Sequence, residues 1–192
     1  MPSTGHDMGR AENTIAAIYD MKIVLTGFMG TGKTSVGKEL SRKLGYRFID
    51  TDVLIEEREG KPVSLIFKEK GEEHFRKVEQ AVVEEVSLMN NVVIATGGGV
   101  IKNKINVDNL SRRGTIIWLK ADAKIILKRV MLEGGKRPLL EVDEPLKEIN
   151  KILTERLPLY EQADVSVDTN YITPEETAQE IVEMLCLDCP VV

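Results

Sequence analysis

The segment at residues 27–34, GFMGTGKT, constrains the fold of this chain more than any other. It matches the pattern G-x-x-x-x-G-K-[ST], which cradles nucleotide phosphates where it joins a buried strand to a helix. The apolar run KIVLT precedes it at 22–26, and residues 33–44 carry an apolar stripe at helical spacing that stops at Gly45. The strand, loop and helix follow one another as this motif requires. The segment therefore predicts a nucleotide-binding α/β fold.

The rest of the chain alternates short apolar runs with helical segments. We predict further strands at 47–50, 92–95, 115–119 and 164–167, and helices at 51–58, 72–89, 123–132, 148–157 and 174–187. Such alternation indicates a parallel sheet covered by helices on both faces. Residues 133–144 are polar, contain glycine and proline and lack a helical period, so we expect a mobile loop there. No repeat or linker divides the chain, which predicts one domain.

Composition narrows the range of partners. The 192 residues include 26 Lys and Arg against 31 Asp and Glu, a net charge of −5, whereas sequence-independent nucleic-acid binding usually needs a basic surface. No apolar run approaches the about 18 residues of a membrane span, and residues 1–20 lack a secretory signal, so we expect a cytoplasmic protein.

Cys186 and Cys189 are spaced like a redox pair or half a zinc site. With only His6 and His74 as further ligand candidates, we interpret them as inert thiols.

The phosphate loop supplies the first set of candidate ligands. Its backbone N–H groups and the helix N-terminus are suited to bind phosphate, Lys33 can reach the β- and γ-phosphates, and the Thr34 hydroxyl is placed to bind Mg²⁺. The predicted nucleotide-binding residues of this segment are Gly30, Thr31, Gly32, Lys33, Thr34 and Ser35. These residues predict ATP and Mg²⁺ as ligands, but they do not distinguish a kinase from a switch or a motor.

Two carboxylates follow the second predicted strand, at Asp50 and Asp52. In an open α/β sheet, ligands bind beyond the carboxyl ends of the strands. We expect these two carboxylates, taken as part of one extended segment, to face different directions and to have different roles. One is suited to order Mg²⁺ through water and the other to accept a hydroxyl proton. The alternative is a helix N-cap with a neighbouring acid.

Glycines and arginines complete the candidate site. Gly97, Gly98 and Gly99 follow the third predicted strand at the same edge, where glycine lets the backbone approach a substrate closely; the alternative is a plain loop. Arginine is the preferred bidentate partner of carboxylate and phosphate groups. The candidate arginines are Arg76 in the segment GEEHFRKVE at 71–79, Arg137 in RPLL at 137–140 and Arg156 in ERLPLY at 155–160. The alternative for each is an exposed surface charge.

Taken in order, these segments resemble the shikimate kinase family. Five motifs carry the resemblance: the phosphate loop, Asp-x-Asp, Gly-Glu-x-x-Phe-Arg-x-x-Glu, Gly-Gly-Gly-Val, and Arg-Pro-Leu-Leu followed by Arg-x-Pro-x-Tyr. They extend over nearly the whole chain after the first twenty residues. The resemblance implies a P-loop NTPase fold of the nucleoside-monophosphate-kinase type, with a five-stranded parallel sheet in the order 2-3-1-4-5. It also implies ATP-dependent phosphorylation of shikimate at its 3-hydroxyl, a step toward chorismate and the aromatic amino acids.

The resemblance further implies roles for single residues on the acceptor side. Asp52 holds and activates the shikimate hydroxyls, and Arg76 and Arg156 bind the shikimate carboxylate. Backbone groups of the glycine turn contact the same substrate. The implied substrate-binding residues are Asp52, Arg76, Gly97, Gly98, Gly99 and Arg156.

On the nucleotide side, the resemblance implies that Asp50 orders Mg²⁺ through water together with Thr34. Arg137 belongs to a lid that closes over the phosphates, and it joins Lys33 and Asp52 as a catalytic residue. Arg129 lies near the adenine, as does the segment 168–169. The implied organisation is a mobile N-terminal extension at 1–20 and a single kinase domain at 21–192. That domain contains a shikimate-binding helical segment at about 51–80 and a lid at about 131–145, and we expect it to act as a monomer.

Two alternatives were weighed against this interpretation. A gluconate kinase of similar build would keep the phosphate loop but would not need Asp52, Arg76 and Arg156 together. A nucleotide-dependent switch should carry an element that reads guanine or a partner, and the chain has no Asn-Lys-x-Asp. The sequence therefore favours a kinase of shikimate over both.

Overall fold

A computed structural model describes residues 21–133 and 142–187, and its centre is one parallel sheet. The strands are β1 (Lys22–Thr26), β2 (Arg47–Asp50), β3 (Val92–Ala95), β4 (Gly114–Lys120) and β5 (Val165–Asp168). They are arranged in the order β2-β3-β1-β4-β5, and each neighbouring pair is parallel. This confirms the predicted fold class and the strand order 2-3-1-4-5. The order brings the ends of β1, β2 and β3 together at one edge, where the phosphate loop, Asp50 and the glycine turn emerge.

Helices connect the strands and cover the sheet. They are α1 (Lys33–Leu44), α2 (Thr51–Glu59), α3 (Val63–Ser87), α4 (Lys104–Ser111), α5 (Ala123–Glu133), α6 (Pro145–Tyr160) and α7 (Pro174–Leu187), with a short 3₁₀ helix at Val100–Lys102. Three predictions of helix extent were wrong. Helix α3 begins at Val63 rather than at residue 72 and is kinked at Gly71 (φ 79°, ψ 170°). Helix α4 was not predicted, and α6 begins at Pro145.

Both faces of the sheet are buried, as the alternation of strands and helices predicted. Along β1, Ile23 and Leu25 face one side and Val24 the other. The Val24 side packs against α2, α3 and α4 through residues that include Ile55, Ile66, Val82, Val83, Val86 and Leu110. The opposite side packs against α1 and α7 through Val36, Leu40, Ala178 and Ile181. A helix layer on each face thus holds the strand ends at fixed positions relative to one another.

A third apolar cluster lies directly under the phosphate loop. Phe28, which belongs to the loop, is 1% exposed and packs with residues of α5 and α6, namely Ala123, Ile126, Val130, Ile149 and Ile152. Burial of such a large ring anchors the loop to two helices beyond its own strand and helix. The loop is therefore a packed part of the core and not a surface turn.

At the amino ends of the strands, on the side away from the phosphate loop, a buried lysine contacts the ends of two helices. Lys22 is 1% exposed, and its ammonium donates hydrogen bonds to the carbonyl oxygens of Ser87 at 2.7 Å and Arg112 at 3.0 Å. The Ser87 carbonyl belongs to the last residue of α3, and Arg112 is the residue that follows α4. A cation at such helix ends also interacts favourably with the helix dipole. Burial lowers the pKa of Lys22. The residue fixes α3, which carries Arg76, to the start of β1.

Some predictions concern residues outside the described ranges. These are the N-terminal extension at 1–20, Arg137 with most of the predicted loop and lid, and Cys189. Cys186 lies in α7. In the two described ranges, none of the helices combines the length and the apolar character that crossing a membrane requires.

Candidate active site

The phosphate loop connects β1 to α1, as predicted, and its own side chains hold it in shape. Gly32 caps α1 with φ at 91°, a left-handed conformation that favours glycine. The Lys33 ammonium donates to the carbonyl oxygens of Gly27 at 2.9 Å and Phe28 at 2.8 Å. The Thr31 hydroxyl also donates to the Phe28 carbonyl, at 2.8 Å. The lysine charge thus lies across the loop at the N-terminal end of a twelve-residue helix, an arrangement that attracts phosphate.

Thr34 and Asp50 meet beside this loop. The Thr34 hydroxyl donates to Asp50 Oδ2 at 2.8 Å. The other oxygen of the same carboxylate accepts from the backbone N–H of Asp52 at 3.1 Å, so Asp50 is also the N-cap of α2. The alternative of a helix cap is therefore correct for Asp50, and it coexists with the contact to the phosphate loop. Two oxygen-bearing side chains predicted to bind a metal are brought into direct contact.

Asp52 occupies a different environment from Asp50. The expectation of one extended segment for Asp50 and Asp52 was wrong, since side chains two apart on a strand face the same way. The helix predicted from residue 51 is confirmed: α2 begins at Thr51 and places Asp52 in its first turn, after the strand that ends at Asp50. The side chain lies against the glycine turn: a Cβ on Gly97 would be 2.5 Å from Asp52 Oδ1. Burial, and secondarily the charge of Asp50, raises the pKa of Asp52 to about 6, although Lys33 opposes the shift. A carboxylate with this pKa can accept a proton close to neutral pH.

The three glycines after β3 each contact a different part of the site. The Gly97 N–H donates to the Thr51 hydroxyl at 2.9 Å. The Gly98 carbonyl accepts from Arg156 Nη1 at 2.8 Å. A Cβ on Gly99 would lie 2.7 Å and 2.8 Å from the two terminal nitrogens of Arg76. Side chains at Gly97 and Gly99 would therefore collide with the site, which a plain loop would not explain.

Arg76 and Arg156 approach the glycine turn from separate helices. The guanidinium of Arg76, on α3, lies 5.2 Å from the centre of the Phe75 ring and 5.9 Å from that of Phe67. That of Arg156, on α6, lies 5.7 Å from the centre of the Phe28 ring. Both arginines are half-buried, and aromatic faces orient them through cation–π contact. They are not the freely exposed charges that we weighed as the alternative.

Glu79 is a member of this cluster that sequence reasoning missed. Its side chain is 1% exposed, and Oε2 accepts from Arg76 Nη1 at 2.7 Å. The other oxygen, Oε1, has no hydrogen-bond partner within the described parts of the chain. Burial raises the pKa of Glu79, although Arg76 opposes the rise. The available signal was its position three residues after Arg76, at the end of the same motif, which places both side chains on one helix face.

On the other side of the loop, Arg129 joins α5 to the end of β5. Its guanidinium donates to the Gly30 carbonyl at 3.3 Å, to the Thr169 hydroxyl at 3.1 Å and to the Thr169 carbonyl. These residues border a cavity with Gly32, Ser35, Ile172 and Pro174. Asp168 accepts from the Asn170 N–H at 2.8 Å and lines a separate cavity with Phe28 and Thr31. Of the segment 168–169, only Thr169 thus meets Arg129 next to the phosphate loop.

A second cavity lies between the phosphate loop and the acceptor-side residues. It is lined by Met29, Gly30, Gly32, Lys33, Thr34, Ser35, Asp50, Asp52, Thr96 and Gly98. The structure therefore brings together the loop, both aspartates and the glycine turn at one edge of the sheet. Arg76 and Arg156 reach that turn from outside, and Arg129 lies on the far side of the loop.

Comparison with known proteins identifies the family. The family model described as shikimate kinase matches residues 29–186. The shikimate kinase of Caldanaerobacter subterraneus subsp. tengcongensis is 49% identical over 83% of this chain and 93% of the relative. That of Thermodesulfovibrio yellowstonii is 44% identical over 84% and 92%.

Solved structures agree with these matches. Shikimate kinase from Acinetobacter baumannii, in complex with shikimate, aligns with a TM-score of 0.86 at 34% identity, over 93% of this chain and 99% of that one. A gluconokinase from Sinorhizobium meliloti aligns with a TM-score of 0.60 at 19% identity, which shows a shared fold alone. On the extent of the family match and the identity to these relatives, the chain belongs to the shikimate kinase family.

Proposed function

We propose that this protein transfers the γ-phosphoryl group of ATP to the 3-hydroxyl of shikimate, giving ADP and shikimate 3-phosphate. One observation carries the proposal beyond family membership: two arginines from separate helices and a carboxylate with a raised pKa meet at the glycine turn, beside the phosphate loop. The product lies on the route to chorismate and the aromatic amino acids. Both substrates bind at a single edge of the sheet.

The acceptor site suits a ligand that has a carboxylate at one end and hydroxyls at the other. Arg76 and Arg156 bind the carboxylate, because a guanidinium offers paired donors in a fixed plane. Asp52 accepts from the hydroxyls, and the backbone of Gly97, Gly98 and Gly99 borders the same ligand.

On the nucleotide side, the phosphates bind to the loop. The phosphates are surrounded by backbone N–H groups of the loop and by the side chains that it carries, from the residues Gly30, Thr31, Gly32, Lys33, Thr34 and Ser35. Arg129 contacts the nucleotide beside Thr169, close to the adenine. The hydrogen bonds of Arg129 to both the loop and the end of β5 support this role, since they place its planar group beside the cavity there.

The residues beside the loop are suited to Mg²⁺. Thr34 and Asp50 would hold it, because the ion prefers hard oxygen ligands and takes one or two from the protein, the rest coming from phosphates and water. Their mutual contact at 2.8 Å, within the same cavity as Lys33, supports this assignment. When bound, Mg²⁺ neutralises charge on the phosphates.

In the reaction, the 3-hydroxyl oxygen of shikimate forms a bond to the γ-phosphorus while the bond from that phosphorus to the β–γ bridging oxygen breaks. Asp52 orients the hydroxyl and accepts its proton, for which a pKa of about 6 is suitable. Lys33 stabilises negative charge on the transferring group, and Arg137 adds a second cation to it. Most of the catalysis comes from alignment and charge, as in other phosphoryl transfers.

An ADP-release assay, coupled to NADH oxidation, tests the activity with ATP, Mg²⁺ and either shikimate or gluconate as acceptor. We expect turnover with shikimate and only background with gluconate. Turnover with gluconate alone would refute the assignment of the acceptor. ADP release that is independent of any acceptor would instead favour a nucleotide-dependent switch.

We also propose that the protein acts as a monomeric, single-domain enzyme in the cytoplasm. Arg156 contacts the Gly98 carbonyl and Arg76 contacts Glu79 within a single chain, so these contacts need no residue of a second subunit. Light scattering during size-exclusion chromatography gives the molar mass directly. A mass close to 21.5 kDa is expected, and twice that mass would refute the monomer.

A further inference from the structure

Arg76, which we propose binds the shikimate carboxylate, already contacts a second glutamate in addition to Glu79. Its Nε and Nη2 both donate to Glu72 Oε1, at 3.2 Å and 3.1 Å. This is in addition to the contact between Nη1 and Glu79. The Nε and Nη2 pair is a paired-donor edge that a substrate carboxylate would use. Glu72 therefore lies where a carboxylate ligand of Arg76 would bind.

The rest of the guanidinium offers little room for another anion. Gly99 is so close that a Cβ there would be 2.7 Å from Nη1 and 2.8 Å from Nη2. Aromatic rings of Phe67 and Phe75 lie within 6 Å. A carboxylate that approaches Arg76 for two hydrogen bonds must therefore displace Glu72 or Glu79.

The two glutamates differ in how easily they can leave. Glu79 is 1% exposed, and moving Arg76 away would leave a buried carboxylate without its cation, which is costly. Glu72 is 58% exposed, one turn before Arg76, and such exposed pairs at i and i+4 are weak. Glu72 follows the break at Gly71 and so begins a helical segment, a position that favours an acidic side chain with or without the arginine. Glu72 is therefore the carboxylate that an incoming ligand displaces from Arg76.

We propose that Glu72 competes with the substrate carboxylate for the Nε and Nη2 edge of Arg76, and so sets the affinity and the selectivity of the acceptor site for carboxylate ligands. The proposal rests on the proposed function of Arg76. A neutral polyol cannot displace Glu72 and gains nothing from Arg76, whereas an acid replaces one charged partner by another. Glu72 is thus a specificity residue that makes no contact with bound substrate.

The size of the effect follows from the population of the competing pair. The apparent dissociation constant equals the intrinsic one divided by the fraction of molecules in which Arg76 is accessible. An exposed ion pair is worth up to about 1 kcal/mol, which is about a fivefold factor in that fraction. Removing the Glu72 charge should therefore tighten shikimate binding about two- to fivefold and leave ATP binding unchanged.

Isothermal titration calorimetry of Glu72→Gln with shikimate tests this. The matched control is Glu73→Gln, which removes the same charge one residue away, where the carboxylate is 85% exposed and pairs with Lys77. The second probe is the carboxamide of shikimate, which lacks the anionic group. We expect Glu72→Gln to tighten shikimate binding about two- to fivefold, with no change for the carboxamide and no change in the control.

Three outcomes would overturn the proposal. Weaker shikimate binding by Glu72→Gln would show that Glu72 supports Arg76. Equal tightening in both variants would show a general field effect, and equal tightening of the carboxamide would show that no carboxylate competition occurs. Arg76→Ala separates this from the proposed function. If that variant binds shikimate normally, the role of Arg76 itself is wrong; if it binds weakly while Glu72→Gln is unchanged, only the competition is wrong.

Discussion

Replacing Asp52 by asparagine should abolish phosphoryl transfer and yet stabilise the protein at neutral pH. The carboxyl is held against the glycine turn and near Asp50, and its pKa is raised to about 6. In an unfolded chain an aspartate titrates near pH ~3.9. The unfolded state therefore releases this proton more readily. Ionisation favours unfolding progressively from about pH 4 to about pH 6, and the full penalty persists at every higher pH.

The two pKa values give the magnitude. A difference of about 2 units corresponds to about 3 kcal/mol, since each unit is about 1.4 kcal/mol. At pH 8 the whole penalty acts on the wild-type protein. At pH 5 the folded carboxyl is mostly protonated, so that about half of the penalty, ~1.5 kcal/mol, is present. Asparagine has nearly the same shape without the charge, and it should recover up to these amounts.

Urea denaturation of wild type and Asp52→Asn, at pH 8 and at pH 5, measures the effect. The variant should be more stable at both pH values, with a gain at pH 5 about half of that at pH 8. Glu57→Gln, at an exposed position of the same helix, is the control for loss of one negative charge. A loss of stability at pH 8, or a gain that does not depend on pH, would show that Asp52 is not held in a destabilising environment.

Three further predictions concern other parts of the site and the fold. Arg76→Ala or Arg156→Ala should raise the KM for shikimate at least about 30-fold, which corresponds to a loss of ~2 kcal/mol or more of binding free energy, and should leave the KM for ATP unchanged. Equal increases of both KM values in steady-state assays would mean that the arginines do not bind the shikimate carboxylate. The kcat/KM for shikimate should fall as the pH drops through about 6, where Asp52 becomes protonated, and a profile that is flat down to pH ~4 would exclude this residue as proton acceptor. Lys22→Met should lower the free energy of unfolding by about 1–3 kcal/mol, because the carbonyls at two helix ends lose a charged donor; an unchanged urea midpoint would show that this contact is not stabilising.

The central strands β1 and β3 could be predicted well because each is a short run buried at every position, as is typical of a parallel sheet covered on both faces. The boundaries of β1, β2 and β3 match the prediction, and those of β4 and β5 differ from it by one residue at each end. Helix α4 escaped prediction because it has only eight residues and few apolar ones. Its start depends on Asn103, whose side chain accepts from the Ile105 N–H at 2.9 Å.

The first half of α3 was missed for a different reason. Gly71 interrupts the helical period, and the two halves are aligned only by tertiary packing, in which Ile66 is fully buried. Local sequence does not contain that information, because the free energy that holds such a segment comes from residues distant in the chain.

The site was predictable where a motif fixes backbone geometry. The phosphate loop and the close approach at the glycine turn followed from residue types at fixed spacing, whereas the assignment of Asp50 to the same metal as Thr34 followed from the family resemblance. Glu79 was not predicted to be buried, since a glutamate inside a charged helix is usually solvated. The raised pKa of Asp52 depends on burial between three elements, and no local pattern reports burial of that kind. The cap formed by Asp50 was left as an alternative for the same reason.

Phosphorus and proton NMR of the reaction mixture tests the proposed activity most directly, because it identifies the product as well as the turnover. With ATP, Mg²⁺ and shikimate, we expect a phosphomonoester whose phosphorus couples to the proton on carbon 3 of shikimate, formed in equal amount with ADP. Formation of ADP and inorganic phosphate without that ester would disprove phosphoryl transfer to shikimate, and a phosphomonoester at another hydroxyl would disprove the assigned orientation of the substrate between the arginines and Asp52.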